Sequence, residues 1–441
     1  MRFRASMGRK LAGAIAVWVL VVGLGAAASP GAVRPDPHFG NEGKVLLPSR
    51  IQEGLGTAVL PGGRIVVAGE RQLVALLPSG RIDRSFGNDG FIRFAGSPQL
   101  SSSWITSIAA DSRGRLVVAA TYYHDPGGDQ AALSGALVGR YSPDGRLDPS
   151  FGGGDGIVVT NFGLPVYMES PSESSPGTAI QVFVHSVAVD SSDRIVLTGE
   201  RAGTTYWFKS HLYGRFETYV GRLTAEGEAD RSFSEDGVLT LPGYEEIGKP
   251  VVGSGDDLYF SAGNDTLVHL RADGEFDPGF GEDGARRIPK RRVDGSIVLD
   301  GSGNLLLSVG LRGIDQGLGV KRLRPDGSLD RGFGRQGVAR LRRSGFGYGV
   351  LASDPRGGVL IATSSSRTPS RSAGMVLTRL RPDGSLDWGF GRQGRVMVRL
   401  GRSESGLRNL IVTGSKALLS GYWCQGEDCG AALARIQLRS S

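Results

Sequence analysis

Residues 322–337 read Arg-Leu-Arg-Pro-Asp-Gly-Ser-Leu-Asp-Arg-Gly-Phe-Gly-Arg-Gln-Gly. Pro325-Asp326-Gly327 is a turn signal, since Pro presets the first turn dihedral and Gly accepts a positive φ. The segment after it, Asp-x-x-Phe-Gly-x-x-Gly from Asp330, recurs in close variants seven times along the chain. The copies begin at Asp36, Asp83, Asp148, Asp230, Asp277, Asp330 and Asp387, and each carries a Phe three residues on: Phe39, Phe86, Phe151, Phe233, Phe280, Phe333 and Phe390. The third copy has one extra Gly, and the fourth has Ser234 for the first Gly. Successive Phe residues are 47, 65, 82, 47, 53 and 57 apart, so the shortest spacing is the unit and the longer ones carry insertions. Self-similarity on this scale means stacked modules and not separate globular domains.

Each unit holds four short β-like runs. In the first they are Thr57–Leu60, Arg64–Ala68, Leu73–Leu77 and Phe91–Phe94. The second run is the clearest, Arg-Ile-Val-Val-Ala-Gly from Arg64, Arg-Leu-Val-Val-Ala-Ala from Arg115 and Arg-Ile-Val-Leu-Thr-Gly from Arg194. Aliphatic and β-branched runs this short, bounded by Gly, Asp and Ser, are strands. After residue 28 there is no convincing amphipathic helix. Four antiparallel strands repeated seven times specify an all-β fold, a single seven-bladed β-propeller over residues 29–441. The two ends are complementary: one strand, Lys44–Leu47, opens the repeat region, and three, Leu410–Thr413, Ala417–Gly421 and Leu433–Leu438, close it. The N-terminal strand is therefore expected to complete the last blade and latch the ring.

The run 322–337, with a Gly-Arg-Ile-Val-Val-Ala-Gly strand type upstream, resembles the delta-60 repeat family of exported bacterial proteins. The resemblance spans the repeat region and implies a propeller and export. It implies no catalytic residue.

Residues 1–28 read as a Sec-type signal peptide: Arg2, Arg4, Arg9 and Lys10 precede an apolar run, and Ala26-Ala27-Ala28 suits cleavage after Ala28. The rival is an uncleaved anchor, at the short limit for crossing a bilayer. Cleavage makes the mature protein secreted or extracytoplasmic, free of the membrane, and a monomer is expected. It removes four positive charges from a formal net charge of +7. The two cysteines, Cys424 and Cys429, are expected to pair in an exported protein.

Seven Asp and seven Phe residues at one place in the unit are expected to be structural, Asp capping turn amides and Phe packing between blades. Calcium needs about six oxygens from one loop, which no copy supplies. Residues 285–402 hold 23 basic and 8 acidic side chains. Arg340, Arg342, Arg343, Arg395, Arg399 and Arg402 concentrate in fourth strands, where charge protects an exposed edge, and no nucleic-acid partner is expected. No catalytic, metal or cofactor motif is present, and His38, His124, His185, His211 and His269 are scattered, with His38 and His269 read as ordinary surface or packing residues.

The insertions carry the functional expectation. Tyr122–Ser134, Gly163–Gln181 and Arg201–Glu217 all emerge on one face of blades two and three. The third holds five of the 33 aromatics within 17 residues. Exposed aromatics on loops mark recognition surfaces, so Tyr206, Trp207, Phe208 and Tyr213, faced by Tyr122, Tyr123 and His124, are the candidate ligand-binding residues. The bland alternative is that these loops pack on each other as a lid. The expected function is a non-enzymatic binding or scaffold module for an extracellular protein or cell-wall glycan. The alternative is a hydrolase or lyase, which would need acids or His clustered at the channel ends of the first strands.

Overall fold

The structure is a computed structural model that describes residues 33–438, apart from 50, 52–55, 95–101, 125–132, 163–177, 209–210, 245, 289–292, 312–316, 342–348, 365–373 and 401–403. The expected signal segment 1–28 and most of the 163–181 insertion lie outside the described residues.

Seven antiparallel sheets form seven blades. Blade one comprises Gly56–Val59, Ile65–Ala68, Gln72–Leu76 and Phe91–Arg93; blade two, Ser102–Ala110, Leu116–His124, Leu133–Tyr141 and Ile157–Thr160; blade three, Thr178–Val189, Ile195–Phe208, His211–Leu223 and Val238–Leu241. Blade four is the shortest at its inner edge, Val251–Val252, followed by Leu258–Ala262, Thr266–Leu270 and Ala285–Arg287. Blades five and six run Val293–Leu299 to Val338–Leu341 and Val350–Ser353 to Arg395–Arg399. The first strands of successive blades touch in ring order, the last of them meeting that of blade one, which places them around a central axis. Among the described residues the helical content is two single 3-10 turns, Pro61–Gly63 and Gly152–Gly154.

Blade seven is built from both ends of the chain. Glu404–Thr413, Lys416–Gln425 and Asp428–Gln437 supply three strands, and Lys44–Leu46 completes the sheet with Lys44 opposite Ala434. A second N-terminal segment, Arg34–Pro35, also pairs with the third strand, with Arg34 opposite Gln437. The latch thus has two points of attachment where one strand was expected.

The core is partitioned into seven clusters, one for each junction between blades. Val66, Phe86, Ile105 and Leu137 share the cluster between blades one and two; Phe39, Leu47, Ile65, Leu418 and Leu433 share that between seven and one. Second strands such as Ile65–Ala68 are buried at every residue because both faces of a blade are covered, and so they read as unbroken apolar runs. Burial of such side chains is worth about 1.5–3 kcal/mol each, and here it bonds blade to blade.

Candidate functional site

Connections between strands one and two and between three and four emerge on one face of the ring. Those between two and three, and from blade to blade, emerge on the other. The two faces differ in chemistry.

The first face carries the repeated motif. Each motif Asp caps the amide two residues on, as Asp148 Oδ1 does for Ser150 at 3.0 Å. Its other oxygen takes a basic side chain, an Arg in most blades. Arg140 pairs with Asp148 at 2.8 Å, Arg222 with Asp230 at 2.7 Å and Arg322 with Asp330 at 2.7 Å. The guanidinium lies over the motif Phe, 4.6 Å from its centroid for Arg140 on Phe151 and 4.2 Å for Arg379 on Phe390. It also donates to a carbonyl in the next blade, as Arg222 does to Ala272. Burial draws the Asp148 carboxyl upward, but hydrogen bonds from Ser150 and the charge of Arg140 outweigh it and hold the group below its ordinary value. The turn Gly of the following blade seats against this node. A Cβ at Gly145, whose φ is +85°, would lie 2.7 Å from the Gly87 amide and 3.1 Å from the Phe86 ring. Arg115 extends the network, contacting Asp111, Asp148 and Asp193.

Blade four departs from the pattern. His269 replaces the Arg, with Nε2 hydrogen-bonded to Asp257 at 2.8 Å and Nδ1 3.0 Å from Asp277 in an off-line contact. The ring stacks on Tyr259 at 4.1 Å. His269 therefore sits at the centre of a buried junction, a packing residue and not a surface one.

The opposite face carries the hairpin extensions. The segment read as an inserted loop at 201–217 is mostly strand: the ladder continues through Tyr206↔Tyr213, Trp207↔Leu212 and Phe208↔His211. Tyr206, Trp207, Phe208 and Tyr213 thus occupy the tip of a tall hairpin, while their side chains lie outside the described residues. In blade two the ladder likewise continues through Tyr122↔Gly135, Tyr123↔Ser134 and His124↔Leu133. The Tyr122 ring fills the space over Gly135, where a Cβ would come within 2.2 Å of it. Tyr122 is thus partly engaged in packing, and burial raises its hydroxyl pKa. Blade seven also rises further than expected. Its second and third strands continue to Gln425↔Asp428, so the Cys424–Cys429 disulfide, S–S 2.07 Å, joins two directly paired residues across the end of this hairpin, as expected.

Blade one has a short hairpin, turning at Gly69-Glu70-Arg71, between tall blades seven and two. Beside it opens a cavity of about 630 Å³ lined by Glu70, Arg71, Trp104, Thr106, Val184 and His185. His185 Nε2 is 3.7 Å from Glu200 Oε1. Trp104, Thr106 and His185 belong to the first strands of blades two and three, Ser102–Ala110 and Thr178–Val189. They escaped the sequence reading because each strand holds one extra residue that breaks its alternation. Among the described residues no group of three or more His, Cys, Asp or Glu side chains is gathered as a metal site.

Arg340, Arg395 and Arg399 lie in fourth strands, while Arg342, Arg343 and Arg402 fall outside the described residues.

No protein-family model matches the chain, and no curated protein matches it. Similar solved structures include a protein of unknown function from Dyadobacter fermentans, 12% identical, TM-score 0.43, covering 93% of this chain and 100% of that one. BamB from Moraxella catarrhalis is 10% identical with a TM-score of 0.40, covering 90% and 97%. A gluconolactonase from Xanthomonas campestris is 13% identical with a TM-score of 0.36, covering 72% and 85%. At these values no function is transferred.

Proposed function

We propose that this protein is an exported binding module that captures an extracytoplasmic protein or cell-wall glycan on the face bearing the hairpins of blades two and three. The observation that carries this is the relief of that face: hairpins in blades two and three stand tall beside a cavity, with an aromatic tip at Tyr206-Trp207-Phe208. Export is supported by the basic and apolar pattern of residues 1–28. The likeness of the repeat to the delta-60 family supports the same setting. A rigid propeller holding tall hairpins presents anchors with little ordering cost on binding.

The test is a Tyr206→Ala/Trp207→Ala double variant, assayed for capture of a partner from culture medium or cell-wall extract. Aromatic anchors commonly contribute ~2 kcal/mol or more, so capture is expected to vanish while the melting temperature holds. Unchanged capture refutes the recognition role, and lost thermal stability with capture retained identifies the tip as a packing lid.

A second reading is favoured by His185 and Glu200. A histidine beside a carboxylate at the rim of a cavity is a general acid–base arrangement, as a hydrolase or lyase requires. New reducing ends or unsaturated products from a polymeric glycan, lost in His185→Ala, are its signature.

A further inference from the structure

Three first strands carry a β-bulge at the same ladder position. Thr106 is the added residue between the pairs Ile105↔Ala120 and Ser107↔Ala119, His185 between Val184↔Gly199 and Ser186↔Thr198, and Arg408 between Leu407↔Gly421 and Asn409↔Ser420. A bulge re-aims a side chain at the cost of a broken ladder, and such features gather beside functional sites. Here the break is compensated from the preceding blade each time. The Ile105 amide donates to the Glu70 carbonyl at 2.7 Å, the Val184 amide to Thr121 Oγ1 at 3.0 Å, and the Leu407 amide to Ser364 Oγ at 3.0 Å. In blade three the buried Tyr219 hydroxyl also donates to the Phe183 carbonyl, at 3.2 Å. The blade-three bulge is therefore held from both sides. His185 and Arg408 are exposed although they stand on the innermost strands, where flanking residues are buried or half-buried. Two of the three bulge residues, Thr106 and His185, line the cavity.

The lining combines an indole with acceptors (Glu70), donors (Arg71) and groups able to do both (Thr106, His185). A sugar hydroxyl is at once donor and acceptor, and a pyranose ring has an apolar CH face that suits an aromatic platform. The volume falls within the range of about 300–1,000 Å³ expected for small-ligand sites. We infer that this cavity is a carbohydrate subsite, taking one pyranose unit of an extracytoplasmic glycan, with its CH face on Trp104 and its hydroxyls hydrogen-bonded by Glu70, Arg71, Thr106 and His185. This rests on the recognition role of the same face and specifies which ligand class that face takes.

The test titrates the full mature chain with four soluble probes: β-1,4-linked glucose and N-acetylglucosamine tetrasaccharides, α-1,4-linked glucose tetrasaccharide, and N-acetylglucosamine–N-acetylmuramic acid fragments. Calorimetry and tryptophan fluorescence supply the readout. Saturable binding of at least one probe is expected. Trp104→Ala should weaken it about tenfold or more, equivalent to ~1.4 kcal/mol, and Arg71→Ala and His185→Ala severalfold each. Trp388→Ala, on the motif face and 66% exposed, should leave it unchanged. Should Trp104→Ala fail to fold, the exposed Arg71 and His185 variants decide the matter. Absence of binding up to roughly 10 mM of every probe, or binding indifferent to both Arg71→Ala and His185→Ala, overturns the subsite. A partner captured through Tyr206 and Trp207 in the absence of glycan binding removes this inference alone and leaves the broader function standing.

Discussion

Arg435 donates through Nε to Asp36 Oδ2 at 2.8 Å, an ion pair that joins the two ends of the chain with side chains only 8% and 1% exposed. It is the same node that Arg140 and Asp148 form within blade two, with the guanidinium 4.4 Å from the Phe39 centroid and donating onward to the Pro78 carbonyl. The ring is closed by the chemistry that joins blades two, three and five to their neighbours, where an Asp-paired guanidinium donates to a carbonyl of the next blade. Asp36→Ala leaves a buried guanidinium without its counter-ion, and removing one partner of such a pair costs about 3–5 kcal/mol. Arg84→Ala, which breaks the exposed Asp89 contact at 3.6 Å, is the control, with an expected loss below about 1 kcal/mol. Urea unfolding measures both. Equal midpoints for the two variants refute a special role for the closing pair.

Acid should weaken the ring from several blades at once. At Asp36, Asp83, Asp148, Asp230 and Asp330, burial draws the carboxyl upward. Hydrogen bonds from neighbouring amides or hydroxyls and the paired Arg outweigh it, so each lies below its ordinary value. A carboxylate with a folded pKa below the unfolded value of about 3.9 stabilises the fold above that pH. Its contribution is lost as pH falls through the folded pKa. Urea midpoints are expected to hold from neutrality to about pH 5 and to drop steadily below pH 4. A midpoint that stays level down to about pH 2.5 refutes this account of the junctions.

The repeat was legible because each of its residues answers to local backbone. The turn Gly must take a positive φ, the motif Asp caps an amide two residues on, and both recur at fixed offsets. Arg322 was also within reach, eight residues before Asp330, and Arg140, Arg222, His269 and Arg379 keep that spacing from their own Asp. Two exceptions blurred it. Blade one has Ala75 at that place and recruits Arg64 from the start of its second strand, and blade seven pairs Arg435 with an Asp at the other end of the chain. The cavity was not legible. His185 and Trp104 stand on different blades, and the bulges that aim Thr106 and His185 interrupt the alternation by which strands are recognised.

The disulfide should contribute modestly. Cys424 and Cys429 face each other in the ladder with Cα atoms 4.1 Å apart and a sequence separation of 5. So small a loop constrains the unfolded chain little, about 2 kcal/mol by the chain-entropy relation. The Cys424→Ser/Cys429→Ser variant should therefore fold and unfold cooperatively at a slightly lower urea midpoint. Thiol titration of the denatured, unreduced wild type is expected to find no free thiol, and two thiols per chain would show that the pair is not oxidised.

His269 offers the sharpest test of what the junctions require. In blade four the position held by Arg64, Arg115 and Arg194 elsewhere is Asp257, and the position held by Arg140 or Arg222 is His269. The imidazole thus stands between two carboxylates, and its hydrogen bond holds the Asp257 carboxyl below its ordinary value against the opposing effect of burial. It also carries packing: it stacks on Tyr259 at 4.1 Å and meets Phe280 edge-on at 5.3 Å. His269→Ala removes hydrogen bond and ring together and leaves Asp257 facing Asp277, a loss of about 1–3 kcal/mol by denaturant unfolding. His269→Arg restores the arrangement of blade six, where Arg379 lies 2.9 Å from Asp354 and 3.3 Å from Asp387 with its guanidinium over Phe390. It is expected to recover most of what alanine loses. If arginine proves as damaging as alanine, the blade-four junction is shaped for an imidazole ring, and a planar cation between two carboxylates is not the property that binds these blades together.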